Sequence, residues 1–289
     1  MASYEDRLFL HVMLAEEDMH RKYQDNGFPT FSDPTRALVA LNGMMFFGQS
    51  FANSTQEDTP VMPAPTRLEA NMNEQQTKAV LASFGLPVVE DKLCLSEADV
   101  RNGFAAAGRP VAMKILSPDI LHKTDIGGVM LNLKTEDEAF FAYQEILDNA
   151  AAHAPGAKID GVMLSPMIGD GVDLILGAQT DPIFGAMVMV GIGGIHAELL
   201  KDVTFMRAPI SPSAAQRMLE RLQLYPLLMG VRGARGCDIA AVAKTISDFS
   251  AFIAAHSDQL SSFEINPLRA LPDSCVALDA LVVCKVSGG

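Results

Sequence analysis

The sequence has no tryptophan and only four tyrosines, and aromatic residues make up 7% of it. A core without large rings has to be filled by aliphatic side chains and by the 16 methionines. Cations are scarce too: Lys and Arg number 22 against 35 Asp and Glu, a net charge of −13. Such an acidic surface excludes non-specific nucleic-acid binding, which needs cations to displace condensed counterions. It also disfavours an anionic membrane surface. A local basic pocket for phosphates is still compatible with it. The cysteines Cys94, Cys237, Cys275 and Cys284 contain no Cys-x-x-Cys pair, so they read as reduced thiols of a cytoplasmic protein. The first residues show no basic-then-apolar leader pattern. The most apolar window, "IFGAMVMVGIGGI" from Ile183, is too short and too glycine-rich to span a bilayer.

What is there is enough apolar residue, 49% of 289 positions, to bury one large domain or two modest ones. Residues 1–50 read as a fragment of an α/β unit. "LFLHVML" suits a strand, "AEEDMHRKYQDNG" a helix closed by Gly27, and "SDPTRALVAL" a helix capped by Asp33 with Pro34 in its first turn. Residues 51–70 carry three prolines and no periodicity, and read as a linker. Beyond them, Asn73 and Gln76 stand in capping-box spacing, as do Thr135 and Glu138. "RPVAMKI", "GVMLSPMI", "VDLILGAQT" and "AMVMVGI" read as strands, followed by helices from Ser211 and Asp238. The chain then closes with two strands around Pro272-Asp273. Helices and strands followed by a largely antiparallel sheet predict an α+β body, 71–289, with a cleft between two lobes.

Four stretches carry chemistry. Lys114 ends an apolar strand, where it is either a solvated terminus or a clamp on nucleotide phosphates. In "SPDILHKTDIGGV", Pro118 stops the strand. Gly127-Gly128 permit a backbone that turns N–H groups toward an anion. His122 is there either as a solvated surface residue or as a neutral imidazole able to attack a phosphoryl group. In "EINPL" and "VALDAL", a hairpin symmetric about Pro272-Asp273 sets Asn266 opposite Asp279, Cβ atoms roughly 5 Å apart. Glu264 shares that face. Three oxygen-bearing side chains there suit Mg²⁺, and suit a solvated sheet face equally. "GIGGIHAELLKD" lacks the third glycine of a dinucleotide fingerprint, so His196 reads as a satisfied core residue and Glu198 as a polar residue in an apolar setting.

Taken together, "VAMKI", "SPDILHKTDIGGV", "GVDLILGAQTDPIFG", "VGIGGIHAELLKDV", "YPLLMGVRG" and "EINPL" followed by "ALDA" resemble the ATP-grasp domain of ADP-forming (NDP-forming) acyl-CoA synthetases, relatives of the succinyl-CoA synthetase β subunit. The resemblance covers about three-quarters of the chain, from residue 73 to 285. It implies an ATP-grasp fold, two α/β lobes around a nucleotide cleft, after a short flavodoxin-like remnant at 1–50. It implies ATP/ADP and Mg²⁺ as cofactors. His122 would be a phosphohistidine on a mobile segment. Lys114, Lys123 and Arg232 would contact phosphates, Gly127 and Gly128 would cover them, and Ser165 and Met167 would line the adenine. Asp173 stands where the family places a ribose-holding glutamate, one methylene longer. Glu264, Asn266 and Asp279 would hold the metal. The CoA-binding and ligase domains, or an α subunit, would be the partners, holding CoA and the carboxylic acid within an oligomer. A non-catalytic nucleotide sensor or interaction module on the same fold is the alternative. A carboxylate–amine ligase is a third reading, which the histidine segment opposes.

Overall fold

The computed structural model describes residues 8–54, 60–108, 110–120, 122–193, 202–231, 233 and 235–285. The chain divides into two compact units, Met1–Asp58 and Thr59–Gly289.

In the first unit β1 (His11–Val12) pairs in parallel with β2 (Thr30–Phe31). Between them run α1 (Glu17–Asp25) and a turn at Gly27, whose φ of +81° favours glycine. α2 (Pro34–Ser54) begins where Asp33 Oδ1 accepts from the Thr35 N–H at 2.6 Å. The expected linker therefore starts inside a helix. "FANS" contains no breaker, and the prolines that end the periodicity come later, at Pro60, Pro63 and Pro65. α2 exposes Leu38, Val39, Met44, Met45, Phe46 and Phe47.

The second unit has two antiparallel sheets. β3 (Lys92–Cys94), β4 (Val111–Leu116), β5 (Val129–Leu133) and β6 (Gly161–Pro166) form a four-stranded sheet in the order β3-β6-β4-β5. α4 (Glu97–Ala107) and α5 (Glu136–His153) pack on it, and Val100, Ala139 and Ile146 join Met113, Ile115 and Leu164 in one core. The six-stranded sheet consists of β7 (Val172–Asp181), β8 (Gly185–Ile192), β9 (Val203–Arg207), β10 (Leu260–Ala270), β11 (Cys275–Ala277) and β12 (Ala280–Cys284). Its order is β11-β10-β7-β8-β9, with β12 also on β10. Alternation in β8 turns Val188 and Val190 inward, toward α6 (Pro212–Glu220) and α8 (Ile239–Ala255). Phe249 and Phe252 of α8 meet the Phe263 ring edge-on at 5.6 Å. α7 (Tyr225–Leu228) is a single turn. α3 (Glu74–Ser83) packs with this larger body, since Leu81 is buried in its core.

Three strands escape the sequence pattern. β2 is two residues long. β5 carries Asn132 at φ +61°, and its register against β4 shifts between Val111 and Met113, which hides its period. β9 is half-exposed, so its alternation is weak.

Candidate functional site

The site forms where the two sheets meet. β4 is buried at every position but Lys114. The Lys114 ammonium leaves the small sheet and reaches Glu74 Oε1 at 3.2 Å, Asp279 Oδ2 at 3.2 Å and the Leu278 carbonyl at 3.3 Å. Glu74 opens α3, whose Asn73–Gln76 capping box fixes the first turn. One turn later Lys78 pairs with Glu74 and with Asp91, and donates to the Leu278 carbonyl at 3.1 Å. Lys123 adds a third cation, 2.7 Å from Glu74 Oε2 and 3.7 Å from Asp279 Oδ2. Three lysines and three carboxylates thus neutralise one another, with the Glu74 and Lys78 side chains each only 3% exposed.

Burial acts on each of these charges, and their neighbours decide the sign. Burial pushes the Glu74 carboxyl up, but Lys114, Lys123 and Lys78 outweigh it and hold the carboxyl below its ordinary value. At Asp279 burial pushes up too, and Glu74 adds to it; Lys114 and Lys123 offset only part, so this carboxyl sits above its ordinary value. Burial pulls the Lys114 ammonium down, yet Glu74 and Asp279 raise it overall.

The opposite wall comes from the hairpin. β10 and β12 pair Glu264 with Leu281 and Ile265 with Ala280, and the Asn266 N–H donates to the Asp279 carbonyl at 3.1 Å. Leu271 and Ser274 close the hairpin around Pro272-Asp273. Against β7, β10 shifts register between Ile265 and Leu268, a bulge that contains Pro267, which has no N–H to pair. The Asn266 amide nitrogen donates to Glu264 Oε1 at 2.9 Å, leaving its oxygen as an acceptor. Glu264, Asn266 and Asp279 line one cleft of about 280 Å³ together with Glu74, His122 and Lys123. These hard oxygen donors fit Mg²⁺, an ion that keeps phosphate oxygens and waters as its other ligands. Among the described residues no three His, Cys, Asp or Glu side chains are grouped so that they could hold a metal ion by themselves.

His122 is exposed and precedes a 3₁₀ turn, Lys123–Ile126. It lines that cleft and an adjoining one of about 360 Å³, shared with Lys114, Lys123 and Asp279. A larger trough of about 600 Å³ crosses the open face of β7, β8 and β9. Ile175, Met187, Met189 and Phe205 line it without a single cation, whereas Lys123 lines both smaller clefts and Lys114 one of them.

Several expected residues are otherwise engaged. The Gly127 N–H donates to Thr124 O at 3.1 Å and the Gly128 N–H to Lys123 O at 2.8 Å, so neither is free for an anion. What the pair provides is room: a Cβ on Gly128 would lie 2.7 Å from Ile115 Cγ2 and 2.9 Å from Lys123 O, and Gly127 has φ +68°. The Ser165 hydroxyl is buried and donates to Asp91 Oδ1 at 2.6 Å, and the Met167 N–H donates to Pro110 O at 2.8 Å. Both Asp173 oxygens are held by Arg269. Arg232, His196 and Glu198 lie outside the described residues. Sequence reasoning missed Glu74, Lys78, Asp91 and Arg269. The signal for the first two was a Glu–Lys pair at i,i+4 just inside a capped helix.

Two sheets closing on a charged cleft is the architecture of ATP-grasp proteins, and the profile of the ATP-grasp domain matches residues 64–284. Acetate–CoA ligase [ADP-forming] II subunit beta of Pyrococcus furiosus is 38% identical over 216 residues, 74% of this chain and 92% of the relative. Acetate–CoA ligase [ADP-forming] I of Archaeoglobus fulgidus is 32% identical over 280 residues, 92% of this chain and 40% of the relative. Among solved structures, Ca. Korarchaeum cryptofilum dinucleotide-forming acetyl-coenzyme A synthetase 1 with coenzyme A and Ca-AMPCP superposes with a TM-score of 0.71 at 36% identity, covering 74% of this chain and 93% of that one. The same synthetase with Mg-AMPPCP has its phosphohistidine segment pointing towards the nucleotide-binding site (TM-score 0.64, 33% identity, 73% and 92% covered). With a phosphorylated segment it shows a site I orientation (0.67, 34%, 74% and 93%). The chain belongs to the ATP-grasp family and, within it, to the β subunits of ADP-forming acetate–CoA ligases.

Proposed function

We propose that this chain is the nucleotide-binding, phosphoryl-transferring subunit of an ADP-forming acyl-CoA synthetase. The observation that carries the reading is the meeting of Lys114, from the small sheet, with Asp279, beside His122 and across from Asn266. Lys114 offsets charge on the nucleotide phosphates. Asn266, Asp279 and Glu264 hold Mg²⁺, which when bound neutralises phosphate oxygens. An unprotonated ring nitrogen of His122 takes the terminal phosphoryl group of ATP: the N–P bond forms as the P–O bond to ADP breaks, and ADP leaves. The phosphoryl group then passes to a carboxylate on a companion domain, giving an acyl phosphate that the CoA thiol attacks to release phosphate. Run backwards, the sequence makes ATP from acyl-CoA, phosphate and ADP.

CoA and the carboxylic acid bind mainly on the companion, a CoA-binding and ligase α subunit. Residues 1–50 are, on this reading, the C-terminal remnant of a flavodoxin-like α/β ligase domain that precedes the ATP-grasp domain, joined to it by the stretch before residue 71. The parallel β1–β2 pair and the exposed apolar side chains of α2 support this, since parallel strands are normally covered on both faces. So does the match to the long Archaeoglobus chain, which extends over 92% of this one. Among the described residues no helix is long and apolar enough to cross a membrane.

The test is incubation with Mg²⁺ and γ-labelled ATP, companion subunit included. Acid-labile label should appear on the chain and vanish with His122→Ala. Label that survives that substitution sinks the assignment.

A further inference from the structure

We infer that the Lys123–Glu74 ion pair is a latch that holds the His122 segment on the nucleotide side of the cleft, so that Glu74 is a positioning residue acting through Lys123. The inference rests on the phosphohistidine reading of His122 and adds to it the device that sets where the imidazole stands.

The ends of the segment are tied within the small lobe. The Ser117 hydroxyl accepts from the Asp119 N–H at 3.1 Å, and Asp119 Oδ2 accepts from the Lys158 N–H at 2.7 Å. Ile120 is buried in the small-lobe core. At the other end the Gly127 carbonyl accepts from the Asn149 amide at 3.1 Å and the Gly128 carbonyl from the Ile115 N–H at 2.8 Å. Between these ends, and among the described residues, the side chain bonded across the cleft is that of Lys123. Its ammonium meets Glu74 at 2.7 Å and Asp279 at 3.7 Å, on elements that pack with the large lobe. No described residue hydrogen-bonds the adjoining His122 ring. The place of the imidazole is therefore set by the backbone it shares with a tethered neighbour.

The anchor is itself rigid. Glu74 turns Oε2 to Lys123 while Oε1 faces Lys114 at 3.2 Å and Lys78 at 3.7 Å, so its carboxylate stays compensated when Lys123 leaves. A latch must be able to open without stranding a buried charge, and this one meets that condition on the Glu74 side. On the Lys123 side, release takes the ammonium from 16% side-chain exposure toward water, where it needs no partner. Release is then favoured by a second site that binds the segment better than this one does, as a cationic site would bind a segment that carries a phosphoryl group.

The experiment uses the full chain and three forms of it: wild type, Lys123→Gln and Lys123→Arg. Hydrogen exchange of the amides of residues 122–128 should quicken by at least about fivefold in Lys123→Gln, return near wild type in Lys123→Arg, and stay unchanged in β4 and α5. His122 labelling from Mg-ATP with the companion present should fall by at least about tenfold in Lys123→Gln, by more than ADP affinity falls, and recover in Lys123→Arg, the mark of lost positioning beyond any lost binding. Unchanged exchange overturns the latch, and a tenfold loss of ADP affinity with it would make Lys123 a phosphate ligand instead. Absence of label on wild-type His122 would defeat the phosphohistidine reading alone, since exchange reports on the latch whatever chemistry the ring performs.

Discussion

Arg269 grips both carboxylate oxygens of Asp173, with Nε 2.8 Å from one and Nη2 2.9 Å from the other, across a directly paired position of β7 and β10. The same guanidinium donates to the Ile168 carbonyl at 3.2 Å, so it also ties down the connection that leaves β6. Asp173 shapes Arg269 and the strand ends, and a ribose would have to share oxygens that already accept from the guanidinium. Asp173→Asn is therefore expected to change ADP affinity by no more than about threefold. Arg269→Ala should lower stability by about 1 kcal/mol, the scale of a well-formed, partly exposed pair. Titration calorimetry with ADP and urea unfolding read the two effects separately.

Glu74 faces three ammonium groups from a nearly dry position. Replacing it with glutamine leaves Lys114, Lys123 and Lys78 with two carboxylates between them. The expected loss is about 3–5 kcal/mol, as for other broken buried ion pairs. The pH dependence has a definite sign. The Glu74 carboxyl is held below its ordinary value in the folded chain, so its contribution is complete above the unfolded carboxyl range, about pH 4.3. It disappears as pH falls through the lower, folded value. The gap between wild type and Glu74→Gln should be constant from pH 6 to 8 (about two units of plateau) and close in acid. A gap that widens in acid would show that the network does not stabilise ionised Glu74.

Local rules read well where the chain itself supplied the partner. The capping boxes at Asn73 and Thr135, the Asp238 cap of α8 and the alternation of β8 are contacts within a few residues, and the structure has each of them. The hairpin register was legible for the same reason, because its pairing is symmetric about one turn. The charge network was not. Lys114 meets Glu74 across 40 residues and Asp279 across 165, separations at which neither periodicity nor spacing carries information. Asp91 and Ser165 likewise meet across 74 residues, so the hydroxyl of a serine expected to line the adenine donates to an aspartate that no local pattern links to it. The glycine pair shows a different limit. Sequence reveals that a backbone can adopt unusual angles, while only packing reveals whether it needs the space.

That space can be probed directly. A methyl group at Gly128 collides with both a side chain, Ile115, and a backbone oxygen, Lys123 O. Gly128→Ala should cost about 1–3 kcal/mol as overpacking. Adding Ile115→Val should restore little of it, since valine keeps the Cγ2 methyl that the new group meets and the carbonyl cannot be trimmed. Full restoration in the double variant would show that the turn yields easily. Gly127→Ala adds a strained φ, worth about 1 kcal/mol. Thermal unfolding of the three variants measures these costs.

The hairpin wall makes the last prediction. Asp279 has two roles to reconcile: it partners Lys114 and Lys123, and its proposed role is to bind Mg²⁺. Burial and Glu74 hold its carboxyl above the ordinary value, so a cation placed there gains by relieving that repulsion. Asp279→Asn removes the charge but keeps the shape. It should raise the Mg²⁺ concentration needed for half-maximal His122 labelling by on the order of tenfold or more, about 1.4 kcal/mol. Asn266→Ala should raise it less, because it removes a neutral donor and frees Glu264. Chelation with EDTA should abolish labelling in all three proteins. An Asp279→Asn chain with an unaltered Mg²⁺ requirement would move the metal off this hairpin and leave Asp279 as a counter-ion to the two lysines.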